Sequence, residues 1–162
     1  MVALVGDGAI KMNGMGELVT IARYWRRWAD PRLVVLMLNN RDLAYVTWEQ
    51  RVQAGDPKSD AAQQLPDLPY AGTAELIGLR GIRLEEPEGI GPAWAEALAA
   101  DRPVVLDMVT DPNVPPLPPH ITLKQARTFA HALFTGEPDT TSVLVNTAGE
   151  MVGASLPGGA KG

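Results

Sequence analysis

The chain has 162 residues, 46% hydrophobic and 20% charged, which suits a globular domain with its own core and excludes intrinsic disorder. A formal charge of −5 excludes a broad electrostatic footprint for nucleic acid or an anionic membrane. The absence of cysteine excludes a disulfide framework, a zinc-thiolate site and a cysteine nucleophile. No apolar run approaches the roughly eighteen residues of a spanning helix. Residues 1–5 pass straight into a Gly-Asp-Gly turn with no charged leader or cleavage site, so neither signal peptide nor membrane span is expected, and a cytoplasmic location is.

Val2-Ala3-Leu4-Val5 reads as a buried strand stopped by Gly6-Asp7-Gly8. After Asn13, Met15, Leu18, Val19, Ala22, Trp25 and Ala29 recur at helical spacing, and Ile21 and Trp28 widen the apolar face, predicting a helix buried on two sides. Asp30-Pro31 ends it. Leu33 to Leu38 is unbroken apolar sequence before Asn39-Asn40, as in a parallel strand covered on both faces. Residues 41–69 read as a polar excursion from the sheet. Helices over 70–79 and 87–100, the latter with Trp94, Ala97 and Leu98 inward, and strands over 81–84 and 103–109 complete the alternation. That order predicts an α/β fold with a mostly parallel sheet and helices on both faces. Five prolines within 111–119 predict an extended strap. Thr122 and Gln125 form a capping box for a helix through Phe134, with Leu123, Ala126, Ala130 and Leu133 on one side and Gly136 closing it. The divisions expected are residues 1–110 as the main domain, 111–135 as its strap and last helix, and 136–162 as a mobile tail.

Open parallel sheets bind ligands at the carboxyl ends of their strands, where Asp7 and then Asn39 and Asn40 stand. A carboxylate, an amide oxygen and a nearby carbonyl make a hard-oxygen set suited to Mg²⁺, and the N–H groups of Gly8 and Ala9 lie ahead of a helix where a phosphate can sit. Alone, Gly-Asp-Gly is equally an ordinary turn after a strand.

With their flanks these residues resemble the cofactor domain of thiamine diphosphate-dependent enzymes of the pyruvate oxidase and acetolactate synthase group. The likeness runs through Val5-Gly6-Asp7-Gly8-Ala9, Met12-Asn13, Glu17-Leu18, Leu38-Asn39-Asn40, Leu43, Val46, Trp48-Glu49 and Arg51. It continues in Tyr70-Ala71, residues 75–82 and 102–107, and residues 117–126 look like the strap and helix of pyruvate oxidases. The resemblance implies that Asp7, the Asn40 side chain and the Asp42 carbonyl bind Mg²⁺, and that Gly6, Gly8 and Ala9 belong to the thiamine diphosphate site. It implies substrate-facing Tyr45 and Val46, with Glu49 as a proton-transfer group; pairing of Glu49 with Arg51 or Lys58 is the alternative. Trp48 either lines that cleft or packs in the core, and His120, His131, Arg23, Arg26 and Arg27 read as packing or surface residues.

Asp7 and Asn40 stand 33 positions apart, several more than in typical members, and the family's earlier strand and helix are expected to be missing before Gly6. The resemblance further implies a separate domain or subunit that binds the aminopyrimidine and supplies its activating glutamate. The chain is thus expected to contribute half of a site in a dimer or other oligomer, to be inactive alone, and to act on a 2-oxo acid. Flavin adenine dinucleotide stays open for the complete enzyme, and a non-catalytic remnant or interaction subunit is the alternative function.

Overall fold

The computed structural model describes residues 1–114 and 122–155, with side chains to residue 150. The chain divides into two compact units, Met1–Asp42 with Leu65–Thr110, and Leu43–Gln64 with Asp111–Gly162. The excursion over 43–64 therefore groups with the carboxy-terminal segment and not with the sheet. The strap residues 115–121, with His120, lie outside the described residues.

The first unit is built on β1 (Val2–Gly6), β2 (Val34–Asn39), β3 (Arg80–Leu84) and β4 (Val104–Val109). They form one sheet in the order β1-β2-β4-β3, every pairing parallel. Between β1 and β2 the chain runs through α1 (Asp7–Ala9), a π-helical stretch (Ile10–Gly14) and α2 (Met15–Tyr24). Alternation along the strands separates two cores. Val35, Met37 and Val105 meet Ile10 and Leu18 of the first helical run and Tyr70 and Ala74 of the later α5 (Tyr70–Leu76), while Val34, Val104 and Leu106 meet Ala93 and Ala97 of α6 (Ile90–Ala99). Each fully buried aliphatic side chain contributes about 1.5–3 kcal/mol through removal from water.

Three burial expectations are corrected. β1 is an edge strand with Val2 and Leu4 exposed, because α6 covers the other strands of that face. α2 buries a single face, Met15-Leu18-Ile21/Ala22-Trp25, and leaves Val19 and Trp28 exposed, since Val19 sits about 100° around the helix from Leu18. The helix also stops at Tyr24 and tightens into a 3₁₀ turn over Trp25–Arg27. In α6 (Ile90–Ala99) the inward positions are Ala93 and Ala97 with Trp94 beside them, and Leu98 is exposed.

α5 (Tyr70–Leu76) lies directly on β3. A Cβ at Gly81 would stand 2.0 Å from the Ala71 carbonyl oxygen, so only glycine admits the approach that lowers Tyr70 onto the sheet.

The second unit contains α3 (Ala44–Glu49), a π-helical turn (Gln50–Ala54), α4 (Asp60–Gln63), α7 (Leu123–Phe134) and α8 (Thr140–Ser155). α7 carries the expected capping box, and Gly136 (φ 105°) turns the chain after it. Leu133 is buried as expected, with Ala132 beside it, whereas Leu123, also predicted inward, is exposed at the first helical position. A sixteen-residue helix occupies much of the segment read as a tail, with Val143 fully buried against Trp48 and Leu133.

Candidate functional site

The ends of β1 and β2 are stitched together by one carboxylate. Asp7, 3% exposed, accepts the Gly8 N–H on Oδ1 at 2.9 Å and the Arg41 N–H on Oδ2 at 2.7 Å. Arg41 carries a positive φ of 58°, a left-handed conformation that is uncommon and strained for a residue other than glycine. Its carbonyl accepts the Leu65 N–H at 2.8 Å, so the strained residue is held on both sides. Asn40 Oδ1 accepts the Asp42 N–H at 3.0 Å, folding the amide over its own loop. The structure thus brings Asp7, Asn40 and Asp42 onto two adjoining loops at the carboxyl edge of the sheet. The Gly8 N–H is turned toward Asp7, whereas the sequence had it facing a phosphate. A Cβ at Gly6 would meet no atom within 4 Å, leaving open space at the end of β1.

Burial is the main effect on Asp7 and pushes its carboxyl above the usual carboxylate range, opposed by the Arg41 and Gly8 N–H groups and by the charge of Lys11. Lys11 directs its ammonium to the Pro66 carbonyl at 2.6 Å, and Asp7 makes no ion pair among the described residues. A carboxylate buried without a matching cation is destabilised in its charged form, and a bound divalent ion would reverse that.

Next to these loops lies a polar cluster. Asn39 Nδ2 donates to Asp107 Oδ1 at 3.0 Å and to Asp67 Oδ1 at 3.3 Å, and Arg83 bonds to both carboxylates as well. Asp107 is fully buried, and desolvation raises its pKa in spite of Asn39 and Arg83. The buried Tyr70 hydroxyl has no hydrogen-bond partner among the described residues; burial, followed by the charges of Asp7, Asp107 and Asp67, pushes it up to about 12.

In the second unit, Tyr45, Val46 and Glu49 share the exposed face of α3, and Thr47, Trp48 and Arg51 the buried one. The alternative pairing of Glu49 is corrected, because Arg51 is committed to Glu137 (Nε–Oε2 2.9 Å) and Lys58 pairs with Asp60 and Asp139. Trp48 packs, with its ring stacked on Phe129 at 5.4 Å and the Arg51 guanidinium over it at 5.1 Å. His131 Nδ1 meets the Gly55 carbonyl at 3.2 Å, a packing contact as expected. Arg23, Arg26 and Arg27 lie over the rings of Tyr24 and Trp25.

Residues 1–108 match the family described as thiamine pyrophosphate enzyme, C-terminal TPP-binding domain. The chain belongs to this family. It is 36% identical over 129 residues to YdaP of Bacillus subtilis, assigned as a thiamine pyrophosphate-containing protein, covering 80% of this chain and 21% of the relative. It is 31% identical over 122 residues to a protein of Methanocaldococcus jannaschii assigned as an acetolactate synthase large subunit, covering 74% and 19%. The chain therefore spans about a fifth of the length of these relatives. The fold is shared with the thiamine diphosphate-dependent 4-hydroxybenzoylformate decarboxylase of Rhodococcus jostii, at a TM-score of 0.58 and 24% identity over 68% of this chain and 19% of that one.

As a TPP-binding domain, the chain presents donors of the right chemistry for a magnesium diphosphate. Among the described residues no group of three or more His, Cys, Asp or Glu could hold a metal ion by itself, so a cation here would rest on the Asp7 carboxylate, the Asn40 amide oxygen and the Asp42 carbonyl together with oxygens from the cofactor or water. The buried, uncompensated Asp7 fits that demand. No described helix is long and apolar enough to cross a membrane. Sequence reasoning gave no role to Asp67, Asp107, Arg83 or Tyr70. The available signal was Asp107, a carboxylate inside the otherwise apolar run of β4.

Proposed function

We propose that this TPP-binding domain forms the diphosphate half of an enzyme that decarboxylates a 2-oxo acid. Asp7, the Asn40 side chain and the Asp42 carbonyl hold Mg²⁺, and the turn of Gly6, Gly8 and Ala9 receives the diphosphate. The observation that carries this reading is Asp7, a carboxylate 3% exposed, lacking a cationic partner among the described residues and tied to both loops. When bound, thiamine diphosphate supplies the carbon nucleophile and electron sink that the protein side chains lack.

The chain's residues bind and orient. Asp7 neutralises part of the cation's charge while its bonds to Gly8 and Arg41 hold the two loops at a fixed separation. The family resemblance assigns Tyr45 and Val46 to the substrate and Glu49 to proton transfer, and the exposure of all three side chains, with no partner for Glu49 among the described residues, supports that assignment. The pyrimidine ring, its activating carboxylate and any flavin belong to another domain or subunit. The likeness of residues 117–126 to pyruvate oxidases favours decarboxylation with electron transfer over acetolactate formation, and product analysis of the assembled enzyme separates the two.

Calorimetric titration of the full chain with thiamine diphosphate, with and without Mg²⁺, tests the reading. Binding that needs Mg²⁺ and weakens at least about 100-fold in Asp7→Ala supports it, in line with the loss of a direct metal ligand. A folded chain that binds no cofactor, or binds it equally without Asp7, contradicts it.

A further inference from the structure

Asn40 projects from a loop whose two neighbours are both immobilised, and one of those anchors belongs to no part of the proposed ligand set. On the far side, Arg41 is held by Asp7 through its N–H and by Leu65 through its carbonyl. On the near side stands Asn39, the last residue of β2 and 1% exposed. Its carbonyl accepts the Thr110 N–H at 3.0 Å, and its side-chain N–H groups reach Asp107 at 3.0 Å and Asp67 at 3.3 Å. Backbone and side chain alike are therefore fixed by β4 and by the loop before α5.

The orientation of the Asn39 amide shows which bonds dominate. Its Oδ1 is buried with no hydrogen-bond partner among the described residues, because turning the amide over would place that oxygen against two carboxylates, which as anions only accept. The N–H bonds thus hold at the expense of an unsatisfied acceptor. Asp107 is itself kept in place by Arg83 Nη1 at 3.1 Å, and Arg83 closes the ring by bonding Asp67 at 2.8 and 3.2 Å. An apolar residue would fill the position of Asp107 in β4, between Leu106 and Met108, without placing a carboxylate in the core.

We infer that Asn39, clamped by Asp107, is a positioning residue for the magnesium loop: it fixes the exit of β2 so that Asn40 and the left-handed Arg41 present their oxygen and N–H groups in a set geometry. The inference rests on the reading of Asp7, Asn40 and Asp42 as the metal-diphosphate set. Outer hydrogen-bond partners of metal ligands typically control affinity by 10–100-fold, which sets the size of the effect.

The test is Mn²⁺ binding by the full chain in the presence of thiamine diphosphate, followed by electron paramagnetic resonance of free and bound Mn²⁺. Asn39→Ala removes the donor of the clamp, and Asp107→Leu removes its acceptor while filling the same space in β4. Leu106→Ala, in the core on the opposite face, is a control for general destabilisation. At a temperature where far-UV circular dichroism shows every variant folded, the Kd for Mn²⁺ is expected to rise about 10–100-fold in the first two and to stay near wild type in Leu106→Ala. Should Asn39→Ala not fold, Asp107→Leu decides. Wild-type Mn²⁺ affinity in folded Asp107→Leu, or an equal rise in Leu106→Ala, overturns the inference while leaving the ligand reading intact. A wild-type chain that binds no Mn²⁺, or an Asp7→Ala chain that binds it normally, overturns the ligand reading and this inference with it.

Discussion

Each of the two units buries carboxylates, and each treats them differently. In the second unit, Glu137 meets the Arg51 guanidinium in a pair whose side chains are 0% and 1% exposed, and also accepts the Lys58 N–H at 3.0 Å. Desolvation alone would raise the Glu137 pKa, but the Arg51 and Lys58 bonds outweigh it and hold the carboxyl below its ordinary value. In the first unit, Asp7 and Asp107 are as deeply buried, yet desolvation prevails and both lie above the ordinary value, Asp7 with no ion pair among the described residues and Asp107 with only an Arg83 that it shares with Asp67 and Glu85. A buried carboxylate matched by its own guanidinium is a structural clamp. One left short of positive charge beside an open loop is where a cation would be taken up.

The largest effect that would sharpen this contrast is the loss of the clamp. Glu137→Ala strands a buried guanidinium and is expected to lower stability by about 3–5 kcal/mol in urea unfolding, whereas replacing Arg51 and Glu137 together by Met and Leu is expected to cost much less. Next comes the packing under Tyr70. Gly81→Ala drives a methyl into the Ala71 carbonyl and is expected to cost about 1–3 kcal/mol, while Gly72→Ala, whose Cβ would lie 3.7 Å from Pro69 on the same helix, is expected to gain about 0.5–1 kcal/mol. Equal effects at the two glycines would remove the close approach of α5 from the account.

The pH response should then separate the units in opposite directions. For Asp7 and Asp107 the folded pKa exceeds the ordinary 3.8, so their contribution is fully present below that value and is lost as pH rises through the raised one. For Glu137 the folded pKa lies below the ordinary 4.5, so its contribution is present above that value and is lost as pH falls through the depressed one. Local hydrogen exchange on acidification is expected to show α7 losing protection before β2 and β4; the reverse order would break the comparison. Arg41→Gly is the smallest change, expected to add less than about 1 kcal/mol as relief of the left-handed conformation is offset by the greater freedom of glycine when unfolded. Thermal melting detects either sign.

The sheet was legible because buried parallel strands leave unbroken apolar runs, and β2 and β4 carry them between clear turns. Asp7 and Asn40 were legible because strand ends in such sheets concentrate ligand chemistry, and their flanks resembled a known family. The burial of β1 was misread because apolar composition does not distinguish an edge strand from a central one, and Leu4 stays exposed where no helix covers it. α3 was missed because its six residues are too short for periodicity, and α8 because Gly, Ser and Thr resemble a tail until Val143 finds Trp48 and Leu133. The Asn39–Asp107–Arg83–Asp67 ring was invisible to spacing arguments, since its members lie as far as 68 positions apart and meet only once β2 and β4 pair.

The central claim, that Asp7 is a buried carboxylate short of a cation, is tested most directly by following its carboxyl carbon by nuclear magnetic resonance through a pH titration, with and without Mg²⁺ and thiamine diphosphate. A midpoint above 3.8 is expected for the chain alone, falling once metal and cofactor are added. A midpoint at or below 3.8 that does not respond to either would contradict that claim.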